Sequence, residues 1–283
     1  MRSIKKIYNA SYAPIADLIT YSPLPNNQIE QIDPFLFLNH HGYQNYKPNN
    51  SGLPFGPHPH RGMETVTFIL KGDISHKDTG GHESVINAGG VQWMTAGRGL
   101  IHAEISSDKF KKEGGELEIL QLWLNLPSKL KMTDPFYKGL QRKDIPSINL
   151  DDNVTINLIS GEWFNHKGAF DSLTNTSLAT IYFKPEGKLS IDIPESDNIF
   201  FYVVKGDLEV NNQKVESRQL VEFNNDQKEL IINANSDAII ILGHAQPLKE
   251  KVVAHGPFVM NSQQEIIQAF NDYQLGKFGH WQE

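Results

Sequence analysis

What most constrains this chain is the spacing of its apolar segments. Short apolar or alternating runs recur at residues 65–70, 90–94, 117–126, 154–158, 198–204, 214–223 and 238–242, separated by Gly, Asn, Asp and Pro. Many short strands at fairly even spacing predict an all-β chain, as a sandwich or barrel. Helix is expected mainly near the end, where Ser262 can cap residues 263–271 and Gly276 follows the stop. A short helical turn is also expected around Asp134.

A weak internal repeat gives the architecture. Phe68-Ile69-Leu70-Lys71-Gly72-Asp73-Ile74 matches Tyr202-Val203-Val204-Lys205-Gly206-Asp207-Leu208 in its apolar pattern and its Lys-Gly-Asp turn. Each copy reads as a strand entering a hairpin turn and leaving on a second strand. The offset of 134 residues is close to half of a 283-residue chain, which points to duplication. Pro-containing segments between residues 127 and 146 suit the boundary. The expected domains are therefore 1–135 and 136–283.

Charge and composition exclude several function classes. The net charge is −7 and the isoelectric point about 5.9. No basic stripe accompanies it, so direct nucleic-acid binding is disfavoured. No run approaches the roughly 18 to 20 apolar residues of a membrane helix. The amino terminus has no apolar stretch of the secretory type, so the cytoplasm is the expected compartment. The chain has no cysteine, which leaves only nitrogen and oxygen donors for any metal.

Two short segments carry such donors. His58-Pro59-His60 sets two imidazoles at i and i+2, and His102-Ala103-Glu104 sets an imidazole and a carboxylate likewise. In extended backbone those positions share a face. On neighbouring strands the pairs would bring three nitrogens and one oxygen together, a set suited to Fe, Mn, Co, Ni, Cu or Zn with open positions for substrate. A lone His is usually a surface or hydrogen-bonded core residue, and an H-x-H pair also recurs by chance. The frame Gly97-Arg98-Gly99-Leu100-Ile101-His102-Ala103-Glu104 raises the metal reading, because its glycines permit a tight turn feeding the histidine onto the next strand.

The segment from Pro57-His58-Pro59-His60-Arg61-Gly62 through Met63-Glu64-Thr65-Val66-Thr67, and Met94-Thr95-Ala96-Gly97 leading into the frame above, resemble the signature of the pirin family of the cupin superfamily. Asp33-Pro34-Phe35, His255-Gly256-Pro257-Phe258-Val259-Met260-Asn261, Tyr273-Gln274 and Gly276-Lys277-Phe278-Gly279 extend the resemblance almost end to end. It is less clear around residues 161–169. The resemblance implies a bicupin: two antiparallel β-barrels face to face, with a short C-terminal helix. It implies one divalent metal in the first barrel, Fe(II) being the expected ion, held by His58, His60, His102 and Glu104. Ni, Cu, Zn, Mn and Co fit the same donors. Glu64, where ordinary cupins take a carboxylate ligand, is then read as a supporting or structural group. Shifted by the repeat offset, His58, His60 and Glu64 fall on Asp192, Pro194 and Asn198, so the second barrel is expected to be degenerate and metal-free.

Some pirins are quercetin 2,3-dioxygenases, so the resemblance implies a flavonol and O2 as substrates, with Glu104 as catalytic base. The alternative it carries is an iron-dependent regulatory protein, a transcription cofactor acting through protein partners. Another cupin reaction is a third class. A monomer is expected. Of the remaining residues, His40-His41 is read as completing an early strand, with a substrate-channel role as the alternative, and Trp93 and Trp123 as core rather than aromatic substrate platforms. Arg98 suits either the cavity mouth or a surface ion pair. His166, His244 and His255 suit surface or packing roles, while Ile266, Ile267 and Phe270 suit the packed face of the last helix.

Overall fold

The computed structural model describes residues 1–282, and strands dominate them. They divide between two units whose segments alternate along the chain. Residues 1–11, 21–36 and 144–247 form one unit; residues 12–20, 37–143 and 248 onward form the other. A single cut after residue 135 does not describe this arrangement, because both chain ends belong to the unit of the opposite half. Strand Ile4–Asn9 pairs antiparallel with Gln219–Phe223, Ile7 opposite Val221. Fully buried Arg2 reinforces that edge, donating to the carbonyls of Asn224 at 2.7 Å and Asp197 at 2.5 Å. The last helix lies in the unit that carries the histidine pairs.

The unit built mainly from residues 144–247 has a seven-stranded antiparallel sheet. Its spatial order is Ile4–Asn9, Gln219–Phe223, Asn198–Lys205, Ala238–Ala245, Ser177–Phe183, Val154–Ser160 and Ser147–Asp151. A four-stranded sheet runs Lys188–Asp192, Glu229–Ala234, Leu208–Val210 and Gln213–Val215. Ile156, Ile181, Phe201 and Ile240 of the first sheet share one buried cluster with Leu189, Leu208 and Ile232 of the second. Burying each such side chain is worth about 1.5–3 kcal/mol. A one-residue register slip would turn such a set outward, so the apolar pattern fixes the pairing.

A second pair of sheets, drawn mainly from residues 37–143, repeats the plan. Phe136–Leu140, Val91–Thr95, Met63–Lys71, Gly115–Asn125, Phe35–Tyr46, Thr20–Leu24 and Ser11–Tyr12 form one sheet; Phe55–His60, Leu100–Ile105, Asp73–Asp78 and Glu83–Asn87 form the other. This is the cupin fold, but in neither unit do the two sheets join into a closed barrel. The repeated Lys-Gly-Asp turn shows why. Met63–Lys71 and Asp73–Asp78 lie in different sheets, as do Asn198–Lys205 and Leu208–Val210. The turn is therefore a corner between layers rather than a hairpin. Gly72 and Gly206 make it at φ +79° and +86°, where a side chain would be strained.

Ser262 caps helix Gln263–Gln274 as its sequence predicts, accepting from the Glu265 amide. Ile266 and Ala269 are its buried apolar positions, whereas Ile267 is 54% exposed, contrary to the expected face. The i,i+3 pair packs with Phe258, Met260 and Phe278. Helix Asp108–Glu113, capped by Ser107, was not legible as helix because six residues carry little periodicity. The turn expected around Asp134 is instead a 3₁₀ turn at Ser128–Leu130. No helix of the described residues is long and apolar enough to cross a membrane.

Candidate metal centre

The two units differ in what fills them. The first buries an apolar cluster and, apart from it, polar groups such as Arg2, Asn157 and Asp197, whereas the second buries His60, Glu64, Thr67, His76, Gln92, His102 and Glu104. Burying so many polar groups is unfavourable unless each finds a partner or a ligand.

The strands place them. Phe55–His60 and Leu100–Ile105 pair antiparallel with Leu100 opposite His60 and His102 opposite His58. Directly opposed residues present their side chains on the same face, so His58, His60 and His102 converge. Their ligand nitrogens all lie within 4.8 Å of one another. Leu100–Ile105 is fed by Gly99 at φ +122°, where a Cβ would stand 2.6 Å from the Phe278 ring. Only glycine fits that approach.

The imidazoles suit a metal ion in their protonation as well as their position. His58 Nδ1 lies 2.7 Å from the Gly56 carbonyl and His60 Nδ1 lies 3.3 Å from the Pro257 carbonyl, so each Nδ1 carries the proton and each Nε2 a lone pair. His60 Nε2 is buried with no partner in the protein. His102 Nε2 lies 3.0 Å from His58 Nε2. Burial pushes the His60 imidazole down to about 3 and His102 well below its ordinary value, with neighbouring histidines adding to both shifts. The neutral His60 and His102 rings, with His58 Nε2 facing them, fit a divalent cation.

Glu104 sits beside this group, its Oε2 3.7 Å from His102 Nε2. Its carboxylate accepts from Thr67 Oγ1 at 3.0 Å, from Gln121 Nε2 at 2.5 Å and from Gln92 Nε2. The two amides are themselves oriented from behind. Tyr137 donates to Gln92 Oε1 at 3.2 Å and Trp123 donates to Gln121 Oε1 at 3.0 Å. Glu64 is apart from the imidazoles: it accepts from Thr95 at 2.7 Å and Trp93 at 3.1 Å. Burial raises its carboxyl to about 7, against the lowering effect of those two bonds.

His58, His60 and Glu104 line a cavity of about 230 Å³, partly open to solvent, whose walls include Phe37, Phe55 and Trp123. Phe37 and Trp123 stack with centroids 4.5 Å apart. Trp123 is thus a cavity wall, whereas Trp93 is core as expected. His41 also lines the cavity. Arg98 takes the surface option, pairing with Asp134 at 2.8 Å where both are exposed. His244 packs in the other unit against Trp163 and bonds Asp197 at 2.8 Å.

Sequence reasoning missed His76. Fully buried, it bonds Asp78 at 2.9 Å, stacks on Tyr137 at 3.7 Å and lies 5.4 Å from the His102 ring. The H-x-D spacing after the Gly72 corner was the available signal. The register that sets His102 opposite Asp78 and Glu104 opposite His76 was not.

The chain matches known proteins over nearly its whole length. The Pirin family profile covers residues 17–124, and the Pirin C-terminal cupin domain profile covers residues 178–279. It is 36% identical to human Pirin over 89% of this chain and 85% of that protein. Against Pirin-1 of Arabidopsis thaliana the identity is 38%, over 88% and 84% of the two chains. The crystal structure of quercetin 2,3-dioxygenase from Acinetobacter baumannii superposes with a TM-score of 0.93 at 34% identity, covering 99% of both chains. A family profile on each half, relatives this similar over most of their length and the fold itself agree: the chain belongs to the pirin family.

Proposed function

We propose that this chain is a metal-dependent dioxygenase that opens the central ring of a flavonol such as quercetin with O2, releasing one carbon as carbon monoxide. The observation that carries the reading is the group of three facing imidazoles, of which His58 and His60 lie in the wall of an aromatic-lined cavity. Its similarity to the Acinetobacter quercetin 2,3-dioxygenase supports it. His58, His60, His102 and Glu104 would hold the ion, for which we favour Fe(II). Bound there, a redox-capable divalent metal supplies Lewis acidity toward the hydroxy-ketone edge of the substrate and electron transfer toward O2.

The protein's own groups do the rest. Phe37 and Trp123 offer ring faces to a planar ligand. Glu104 takes the proton of the flavonol 3-hydroxyl, general-base work that requires a carboxylate within hydrogen-bond reach. Thr67, Gln92 and Gln121 keep that carboxylate from rotating away. The test is elemental analysis after anaerobic Fe(II) loading, paired with O2 consumption and carbon monoxide release on quercetin. One metal per chain with O2 uptake, both lost in His102→Ala, is the expected result. Stoichiometric metal with no uptake on any flavonol would sink the substrate class.

A further inference from the structure

Strand Phe35–Tyr46 sends Phe37, Asn39 and His41 to the cavity from alternate positions of one face. Phe37 is accounted for by its stacking on Trp123. His41 is not part of the convergent imidazole group, and nothing in the metal centre uses it.

Its tautomer is fixed from behind. The assignment that satisfies both contacts has Thr20 Oγ1 donating to the Leu18 carbonyl at 3.2 Å and accepting from His41 Nδ1, 2.9 Å away. A threonine hydroxyl has a single proton. His41 Nδ1 therefore carries the ring proton and Nε2 carries the lone pair. Among the described residues no group bonds that Nε2, and it is not sealed from solvent as His60 Nε2 is. Phe55, its ring centroid 5.1 Å away, supplies an apolar flank. Burial, with neighbouring His40 adding, lowers the His41 imidazole to about 3, so the ring stays a neutral acceptor at physiological pH.

We propose that His41 Nε2 is a specificity-determining acceptor, taking a hydrogen bond from a phenolic hydroxyl of the substrate other than the hydroxyl held at the metal. The inference rests on the flavonol reading and adds to it that polyhydroxylated aromatic ligands are selected over bare ones. The reason is the asymmetry of hydrogen bonding. A ligand without that hydroxyl strips water from Nε2 and returns nothing, and sites built around a substrate hydroxyl reject analogues lacking it. A purely structural His41 would affect stability and weaken all ligands alike.

The experiment uses zinc-loaded protein under argon, where no O2 is present to turn the ligand over, titrated with quercetin and with 3-hydroxyflavone while ligand absorbance is followed. 3-Hydroxyflavone keeps the hydroxy-ketone edge and lacks the other hydroxyls. Wild type is expected to favour quercetin by about tenfold or more. In His41→Leu the preference falls toward unity while zinc content holds, quercetin losing affinity and 3-hydroxyflavone binding at least as tightly as to wild type. Thr20→Val leaves Nδ1 without its acceptor and frees the tautomer, so the preference falls partway. Equal affinities in wild type, or a preference unchanged in His41→Leu, overturns the inference and leaves the flavonol reading standing. If His41→Leu does not fold, an unchanged preference in Thr20→Val overturns it. Binding of neither flavonol overturns both.

Discussion

The Nε2 atoms of His58 and His102 face each other across two paired strands at 3.0 Å. With the His58 proton committed to Gly56 on Nδ1, that separation is relieved by one shared proton or by a cation between the rings. Metal should therefore stabilise the fold. At a hundred- to a thousandfold excess over Kd, linkage is worth about 3–4 kcal/mol. We expect a chelator to lower the Tm of the purified protein, and His58→Ala or His102→Ala to lose most bound metal and become insensitive to chelator. The unit around Trp163 should keep its own cooperative transition in these variants, followed by denaturant unfolding.

Gln121 is a clamp with both ends fixed, its amide donating to Glu104 and accepting from Trp123. Removing groups that orient metal ligands typically weakens binding about 10- to 100-fold. Gln121→Leu should show a loss of that order in competition with a chromophoric chelator, with far-ultraviolet circular dichroism unchanged.

Glu64 should make stability fall as pH rises. Its carboxyl is raised in the folded state from 4.5 to about 7 by burial, so between those values the native protein holds a proton that the unfolded chain has released. Stability declines across that window, by about 3 kcal/mol in total. Apo protein should melt lower at pH 8 than at pH 5, and Glu64→Gln, which imitates the protonated form, should flatten the difference. A pH dependence unchanged in the variant would refute the assignment.

Arg61 and Asp272 form a buried ion pair at 2.8 Å, Arg61 also lying over Phe278 at 4.6 Å. Both belong to the unit that holds His60, the residue before Arg61. Breaking a buried pair from one side is destabilising by about 3–5 kcal/mol. Asp272→Asn should cost about that much in urea denaturation, with weakened metal retention as a secondary effect.

Local patterns carried much of this fold. Apolar runs such as 154–158 and 238–242 are strands because their burial is set by residue type and spacing. Ser262 starts a helix because a hydroxyl two to three residues ahead of free amides caps them. Where local signals were ambiguous, the reading slipped. The Lys-Gly-Asp turn looked like a hairpin because a corner between sheets and a hairpin use the same glycine geometry. The run at 214–223 proved to be two strands, Gln213–Val215 and Gln219–Phe223, since apolar content does not show where a chain turns.

By itself the sequence limited any metal donors to nitrogen and oxygen, because cysteine is absent, and the i,i+2 spacing of His58 with His60, and of His102 with Glu104, commits each pair to one face of a strand. Tertiary structure alone decided which strands are neighbours. That placed His58 opposite His102, turned Trp123 and His41 toward the cavity, brought Gln92 and Gln121 to the two oxygens of Glu104, and put the last helix in the unit that carries the histidine pairs. Those relationships depend on register and on contacts between residues far apart in the chain. Spacing along one strand carries no information about either.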